Sequence, residues 1–298
     1  MRAQRPPAVV VDHFLLAGWP LPQPADEGDK ETRGRILLVG GSPQMPGAIM
    51  LAANAALRAG AGKLTVATAR TVAPLVAAQI PEAKVIAINE DADGLLAPRA
   101  LLESLKDIAE NFDALVIGPG LEARSRIIEE LAALLPLFVN ASVILDAYAM
   151  DVVKTARGAA GRPVLITPHA GEMAHLTGLS KEAVLDDPDG LAQRMTREWG
   201  VTLALKGART VITTPDGRSW EHSGGNVGLA VSGSGDTLAG IIGGLAARGA
   251  PLEQAAVWGV ALHAQAGDAL AARLGPLGYL AREIAGEIPR LMHRHAVG

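Results

Sequence analysis

RILLVGGSPQMPGAIMLAANAALRAGAGKLTVAT, running from Arg35 to Thr68, decides the fold. Ile36 to Val39 is a short apolar run closed by Gly40 and Gly41, the pattern of a strand buried on both faces of a parallel sheet. The alanine-rich stretch from Gly47 predicts a helix ending at Gly60 and Gly62, where glycine suits a C-cap. Lys63 to Thr68 predicts the next strand. Strand, helix and strand at this spacing make a βαβ unit, and such units build parallel sheets.

The alternation continues outward. Strands are expected at Lys84–Ile88, Ala114–Gly120, Ser142–Asp146, Pro163–Thr167 and Thr202–Gly207, with an edge hairpin at Thr210–Gly217. Helices are expected over most of Leu95–Phe112, then Ser125–Phe138, Leu191–Trp199, Gly235–Arg248, Leu252–Leu274 and Tyr279–His293. The fold expected is α/β, with a mostly parallel central sheet and helices on both faces. In such sheets ligands sit beyond the carboxyl ends of the strands. Those ends read Gly40-Gly41-Ser42, Gly118-Pro119-Gly120, Asp146, Thr167-Pro168-His169 and Lys206-Gly207, so one cleft should gather them.

Composition narrows the function classes. The chain has 298 residues, 49% hydrophobic and 19% charged, enough for a large core. Aromatics are only 3%, so Ala, Val, Leu and Ile fill that core. A net charge of −4 without a basic stripe argues against nucleic acid. Cysteine is absent, which excludes disulfides, thiolate catalysis and Cys-ligated metals. No apolar run is long enough to span a bilayer, and the Pro-broken start does not read as a signal peptide, so the expected compartment is the cytoplasm. Residues 1–32 are Pro-rich and then charged; they read as an N-terminal arm with one helical turn at Asp12–Leu16, ahead of a single domain over residues 33–298.

The chemical signal is strongest in GGNVGLAVSGSGDTLAGIIGGLAARG, Gly224 to Gly249. Gly233, Ser234 and Gly235 open a helix. Glycines let backbone N–H groups approach a ligand, and a helix N-terminus attracts anions. A transferring phosphoryl group needs such a cradle. Asp236 would stand beside the acceptor hydroxyl as its proton acceptor. The helix N-terminus, however, favours the ionised carboxylate and so weakens it as a base. The competing reading makes Asp236 an N-cap and assigns the glycines to helix packing.

GNVGLAVSGSGDTLAG resembles the signature of the ribokinase-like superfamily, and more closely that of the ADP/ATP-dependent NAD(P)H-hydrate dehydratase family. GRILLVGGSPQMPGAIMLAANAALRAGAGKLTVAT, ALVIGPGL, ILDAYAM, ITPHAGEMAHLTG and LKGARTVI are similar to that family's other blocks, in the same order. The resemblance covers about residues 11–295. It implies that NADHX or NADPHX, nicotinamide cofactors that have gained water, are phosphorylated on the ring hydroxyl by ADP or ATP. Loss of phosphate then restores NADH or NADPH.

By position, the resemblance implies Asp236 as the catalytic group and hydrate contact, and Gly235 at the nucleotide phosphate. It implies Lys206, Gly207, Ala208, Arg209 and Thr210 as the adenine-nucleotide segment, and Ala48, Gly120 and His169 as hydrate contacts. Glu172 is expected to orient water around Mg2+, with a helix-capping role as the alternative. A homo-oligomer, a tetramer, is also implied. The family reads Asp-Ala-Asp where this chain has Asp146-Ala147-Tyr148. Val231 and Ser232 replace Thr and Gly in the signature, which removes one hydroxyl and adds another beside it.

Two other functions compete. One is a small-molecule kinase acting on a vitamin precursor or sugar alcohol. The other is a nucleotide-binding sensor without turnover. His13, His222, His293 and His295 show no metal-ligand spacing and read as surface or tail residues. His263, on an apolar helix, is either a satisfied core histidine or a border of the adenine pocket. Asp186 to Asp189 reads as a solvated loop.

Overall fold

The computed structural model describes residues 7–23, 33–97, 99–123, 127–155 and 163–297. Parts of the expected arm (residues 1–6 and 24–32, including its boundary with the domain) and the start of the helix expected from Ser125 lie outside the described residues.

Strand β2 (Arg35–Val39) occupies the switch point of the sheet. On one side lie β3 (Lys63–Ala69) and β4 (Ala83–Ile88); on the other lie β5 (Ala114–Ile117), β6 (Ser142–Leu145), β7 (Val164–Ile166) and β8 (Thr202–Leu205), all parallel. β9 (Arg209–Thr213) and β10 (Ser219–Ser223) continue antiparallel, and β1 (Val9–Val10) closes a ten-stranded sheet parallel to β10. The expected hairpin is therefore present, but the N-terminal segment covers its edge. Ile36, Leu37, Leu38 and Val39 are fully buried, as the unbroken apolar run requires.

Helices α2 (Pro46–Arg58), α9 (Ser234–Ala247), α10 (Leu252–Leu274) and α11 (Ala281–Val297) pack against one another, with α9 laid over β5 and β6. α9 is buried nearly throughout, which explains its run of small and apolar residues. A Cβ on Gly240 would stand 2.2 Å from the carbonyl oxygen of Ala52, and one on Gly244 2.4 Å from that of Ala56. These glycines, one turn apart, let α9 and α2 touch backbone to backbone. That contact, beyond the first turn of each helix, fixes α2 and α9 relative to each other. Along the other part of the chain, α4 (Ala100–Leu105) packs on α5 (Ile127–Leu134), α6 (Ala170–Thr177) on α7 (Lys181–Asp186), and α8 (Pro188–Trp199) on β8 and β9.

The segment ahead of β2 is tied to the domain. α1 (His13–Gly18) is capped by Asp12, and Leu16 is buried. Trp19 stacks on Trp220, and its carbonyl accepts hydrogen bonds from Gln254 and Trp258.

Local expectations needed correction in several places. α3 (Ala73–Gln79) was not expected; Pro74 in its first turn is the start signal. Leu95–Phe112 keeps only α4 and a short 3-10 turn at Ala109–Asn111. Asp91 draws the amides of Asp93 and Leu95 into a turn, and Leu96 bridges Glu90. The helix from Pro46, by contrast, ends as expected: Ala59 is its C-cap, and Gly60, at φ +107°, is the left-handed residue after it. Asp186–Asp189 is not a solvated loop. Asp187 caps α8 through Gly190 N, Pro188 opens the helix, and Asp189 binds Arg209.

Candidate active site

Two strand ends meet first at the switch point. The Gly41 amide donates to the Pro119 carbonyl at 2.8 Å. Gly120, at φ +74°, is held so closely that a Cβ would lie 2.6 Å from Met45 O and 3.1 Å from the Ala48 methyl. Ala48 belongs to the first turn of α2. Leu51, one turn later, fills the space that a Cβ on Gly233 would occupy, at 2.4 Å. The expected hydrate contacts Ala48 and Gly120 thus adjoin each other, and α2 connects them to the N-cap of α9.

The next strand ends bring charge. A Cβ on Gly118 would lie 1.8 Å from the Asp146 carbonyl, so the Gly-Pro-Gly loop touches the end of β6. Asp146 is buried, and its Oδ1 accepts a 2.7 Å hydrogen bond from Thr167 and a 3.3 Å bond from Lys206 Nζ. Lys206 also lies 3.7 Å from Glu172 Oε2. Burial works against the lysine's charge. The carboxylates of Asp146, Glu172 and Asp236 outweigh it, and the ammonium's pKa is raised above the ordinary lysine value.

Asp236 is the acid in the first turn of α9. It is not the N-cap: Gly233 holds that place at φ +89°, and no side chain among the described residues caps the helix. Burial first, and the charge of Asp146 second, push its pKa up to about 6, against the opposing pull of Lys206 and of its own amide. The conflict between base strength and helix terminus is therefore resolved by desolvation. A Cβ on Gly235 would come within 3.3 Å of Lys206 Nζ, so glycine there admits the ammonium to the helix N-terminus. Together they form an anion site with a carboxylate beside it.

His169 caps α6. Its Nδ1 accepts from the amides of Gly171 and Glu172 at 3.0 and 3.1 Å, and Glu172 Oε2 accepts from the His169 amide at 2.8 Å. Nδ1 is thereby occupied as an acceptor, and Nε2–H is the donor left for a ligand. The capping alternative for Glu172 is present in the fold. Among the described residues no three His, Asp or Glu side chains converge to hold a metal.

A cavity of about 800 Å³ opens from these groups between β9, β10 and α10. His169, Lys206, Gly207, Ala208, Thr210, Ser234 and Gly235 line it, with His222, Asn226, Leu229, Val260, His263 and Ala264. Arg209 does not line it. Strand alternation turns its side chain to the other face, where it binds Asp189 and Glu221. Gly233, Ala48, Gly120 and Asp236 also lie outside the lining. Gly233 faces Leu51 and Ala281, while Asp236 joins the cavity through the field it shares with Lys206.

Sequence reasoning missed two features. Thr167 orients Asp146. His222 lines the cavity instead of the surface; its parity with buried Trp220 on β10 was the available signal. His263 is satisfied by Ser234, bonding Oγ at 3.0 Å and O at 3.1 Å, and it also borders the cavity. Burial lowers its pKa to about 4 despite the Ser234 carbonyl, and keeps the ring neutral. Tyr148, where the second family acid would stand, has its hydroxyl pKa raised by burial and by the charge of Asp151.

Residues 36–290 match the family model described as NAD(P)H-hydrate dehydratase. An ADP-dependent (S)-NAD(P)H-hydrate dehydratase of Xanthomonas campestris is 47% identical, the match covering 92% of this chain and 93% of that one. A bifunctional NAD(P)H-hydrate repair enzyme of Moorella thermoacetica is 40% identical over 95% of this chain, which spans only 55% of that protein's length. Among solved structures, a ribokinase-like superfamily protein of Enterococcus faecalis matches with a TM-score of 0.81 and 28% identity, over 97% of this chain and 96% of its own. The ADP/ATP-dependent NAD(P)H-hydrate dehydratase of Bacillus subtilis, co-crystallized with ATP/Mg2+, matches with a TM-score of 0.80 and 30% identity, over 97% and 99% of the two chains. The expected ribokinase-like architecture is thus the one found.

Proposed function

This chain belongs to the NAD(P)H-hydrate dehydratase family, and from that membership we propose that it returns (S)-NAD(P)H-hydrate to NAD(P)H at the expense of a phosphoryl group from ADP or ATP. The observation that carries the reading is Asp236. It is a carboxyl group with a pKa near 6 in the first turn of α9, in the field of Lys206, beside a cavity of nucleotide size.

The nucleotide lies in the cavity with its phosphates toward Gly235 and Lys206, and the hydrate's ring lies toward Ala48, Gly120 and His169. Asp236 takes the proton of the ring hydroxyl as its oxygen bonds to phosphorus and the bond to the nucleotide's leaving oxygen breaks. Lys206 and the α9 amides hold the charge that gathers on the transferred group. The ring C–O bond then breaks and phosphate leaves with the bonding pair, pushed by the ring nitrogen. Loss of the neighbouring ring proton restores the double bond. Hydroxide leaves poorly and phosphate leaves well, so a kinase fold yields a net dehydration.

Glu172 has Oε2 committed to the His169 amide, which leaves Oε1 to reach Mg2+ through water. This donor set fits an ion held chiefly by nucleotide phosphates and water, as Mg2+ commonly is. Such an ion would neutralise part of the phosphate charge. Among the described residues no helix is long and apolar enough to cross a membrane. The reading gives a cytoplasmic homo-oligomer, a tetramer, which light scattering after gel filtration tests.

The deciding experiment incubates the protein with enzymatically hydrated NADH or NADPH and either nucleotide. Recovery of the reduced nicotinamide's near-ultraviolet band with release of phosphate is expected. A stable phosphorylated product from another alcohol, with no recovery of that band, would overturn the reading.

A further inference from the structure

We propose that His222 recognises the exocyclic amino group of the adenine base, so that the cavity selects adenine over purines carrying a carbonyl at that position. The inference rests on the adenine-nucleotide reading above.

His222 Nδ1 lies 3.0 Å from the carbonyl oxygen of Val11, just beyond the short strand β1. A carbonyl only accepts, so Nδ1 carries the proton and Nε2 presents a lone pair. Nε2 is buried, and among the described residues no donor reaches it. A buried acceptor without a donor is costly, and the ring belongs to the cavity lining. A donor supplied by the ligand removes that cost.

Gly224 places no side chain against Nε2. A Cβ there would stand 2.7 Å from Nε2 and 3.3 Å from Cε1. Its φ lies outside the left-handed region, so the backbone does not demand glycine; the space over the imidazole does. Gly225 follows, packed so closely that a Cβ would meet Leu229 at 2.6 Å and Ala264 at 3.5 Å. Leu229, Val260 and Ala264 give this end of the cavity apolar walls suited to a flat ring. The anion site lies elsewhere in the cavity, at Lys206 and Gly235, so the base and not the phosphate comes to His222. Adenine presents an N–H donor at its six position. Guanine and hypoxanthine present a carbonyl oxygen there, whose lone pairs oppose that of Nε2.

The test measures binding of ADP, inosine diphosphate, purine riboside diphosphate (which lacks the amine) and 2′-deoxy-ADP by calorimetry. The proteins are the wild type, His222→Phe and Gly224→Ala. Gly224→Ala keeps the Val11 contact, so it remains informative if His222→Phe folds poorly. Wild type is expected to bind ADP about tenfold more tightly than purine riboside diphosphate. Both variants should bind these two equally, because only ADP loses affinity. Equal losses for both nucleotides would overturn the proposal in favour of a structural role. Wild-type discrimination against 2′-deoxy-ADP that both variants lose, with the preference for ADP over purine riboside diphosphate unchanged, would overturn it in favour of a ribose contact. Failure of wild type to bind any adenine nucleotide would remove the nucleotide reading itself.

Discussion

Lys206 Nζ lies 3.3 Å from Oδ1 of Asp146, which is itself buried at the end of β6. The pair joins the two halves of the site. Asp146 touches the Gly-Pro-Gly loop, and Lys206 reaches Gly235 and the field of Asp236. Lys206→Met would leave Asp146 as a buried charge without its cation, so a loss of about 3 kcal/mol is expected in chemical denaturation. The same change removes the group that lowers the pKa of Asp236. The acid limb of the pH–rate profile for residual activity should therefore move to higher pH. An unmoved limb would show that Lys206 does not act on Asp236.

Asp236→Asn should lower hydrate turnover by about 10²- to 10⁴-fold while leaving nucleotide affinity nearly intact. The parent's kcat/KM should fall as pH drops below about 6, because the base must be ionised. The variant should also be more stable at neutral pH, by up to about 3 kcal/mol, since a carboxylate held two pKa units above its ordinary value opposes folding when charged. Calorimetric melting of both proteins checks the sign. A destabilised variant would mean that the carboxylate is structural.

The βαβ frame was legible because its strands are buried on both faces, and their apolar runs end in glycine where chains approach closely, as at Gly40 against Pro119. Asp236, Lys206 and Gly235 were legible because each follows a strand end or opens a helix. His222 was not. Its importance depends on pairing with Val11, more than two hundred residues away, and on a glycine two positions on. Nor was the turning away of Arg209 legible, because Asp189, its partner, read as loop until Asp187 proved to cap α8.

The α2–α9 contact carries the site's geometry, so it should tolerate no added methyl. Gly240→Ala places a Cβ 2.2 Å from Ala52 O. Either the helices part or the backbone shifts, at about 3 kcal/mol. Gly286→Ala, within α11 and with no described group outside its own helix inside 4 Å of its Cβ, is the control. It should stabilise by about 0.5–1 kcal/mol through helix propensity. Urea midpoints of the two variants should move in opposite directions.

Asp236 and His263 oppose each other in acid. With a folded pKa near 6 against 3.8 for the free side chain, Asp236 makes the folded state hold more proton between those values. Its contribution therefore falls as pH rises through that window. His263, at about 4 against 6.5, makes the unfolded state hold more proton. Its contribution is full above pH 6.5 and is lost as pH falls toward 4. Over the shared interval the two slopes offset. Asp236→Asn removes one of them, so the variant should lose stability on acidification more steeply than the parent, by about 1.4 kcal/mol per pH unit. Denaturant unfolding of both proteins at several pH values between about 4 and 6.5 reads this slope. Parallel profiles would show that at least one of the two groups titrates at its ordinary value.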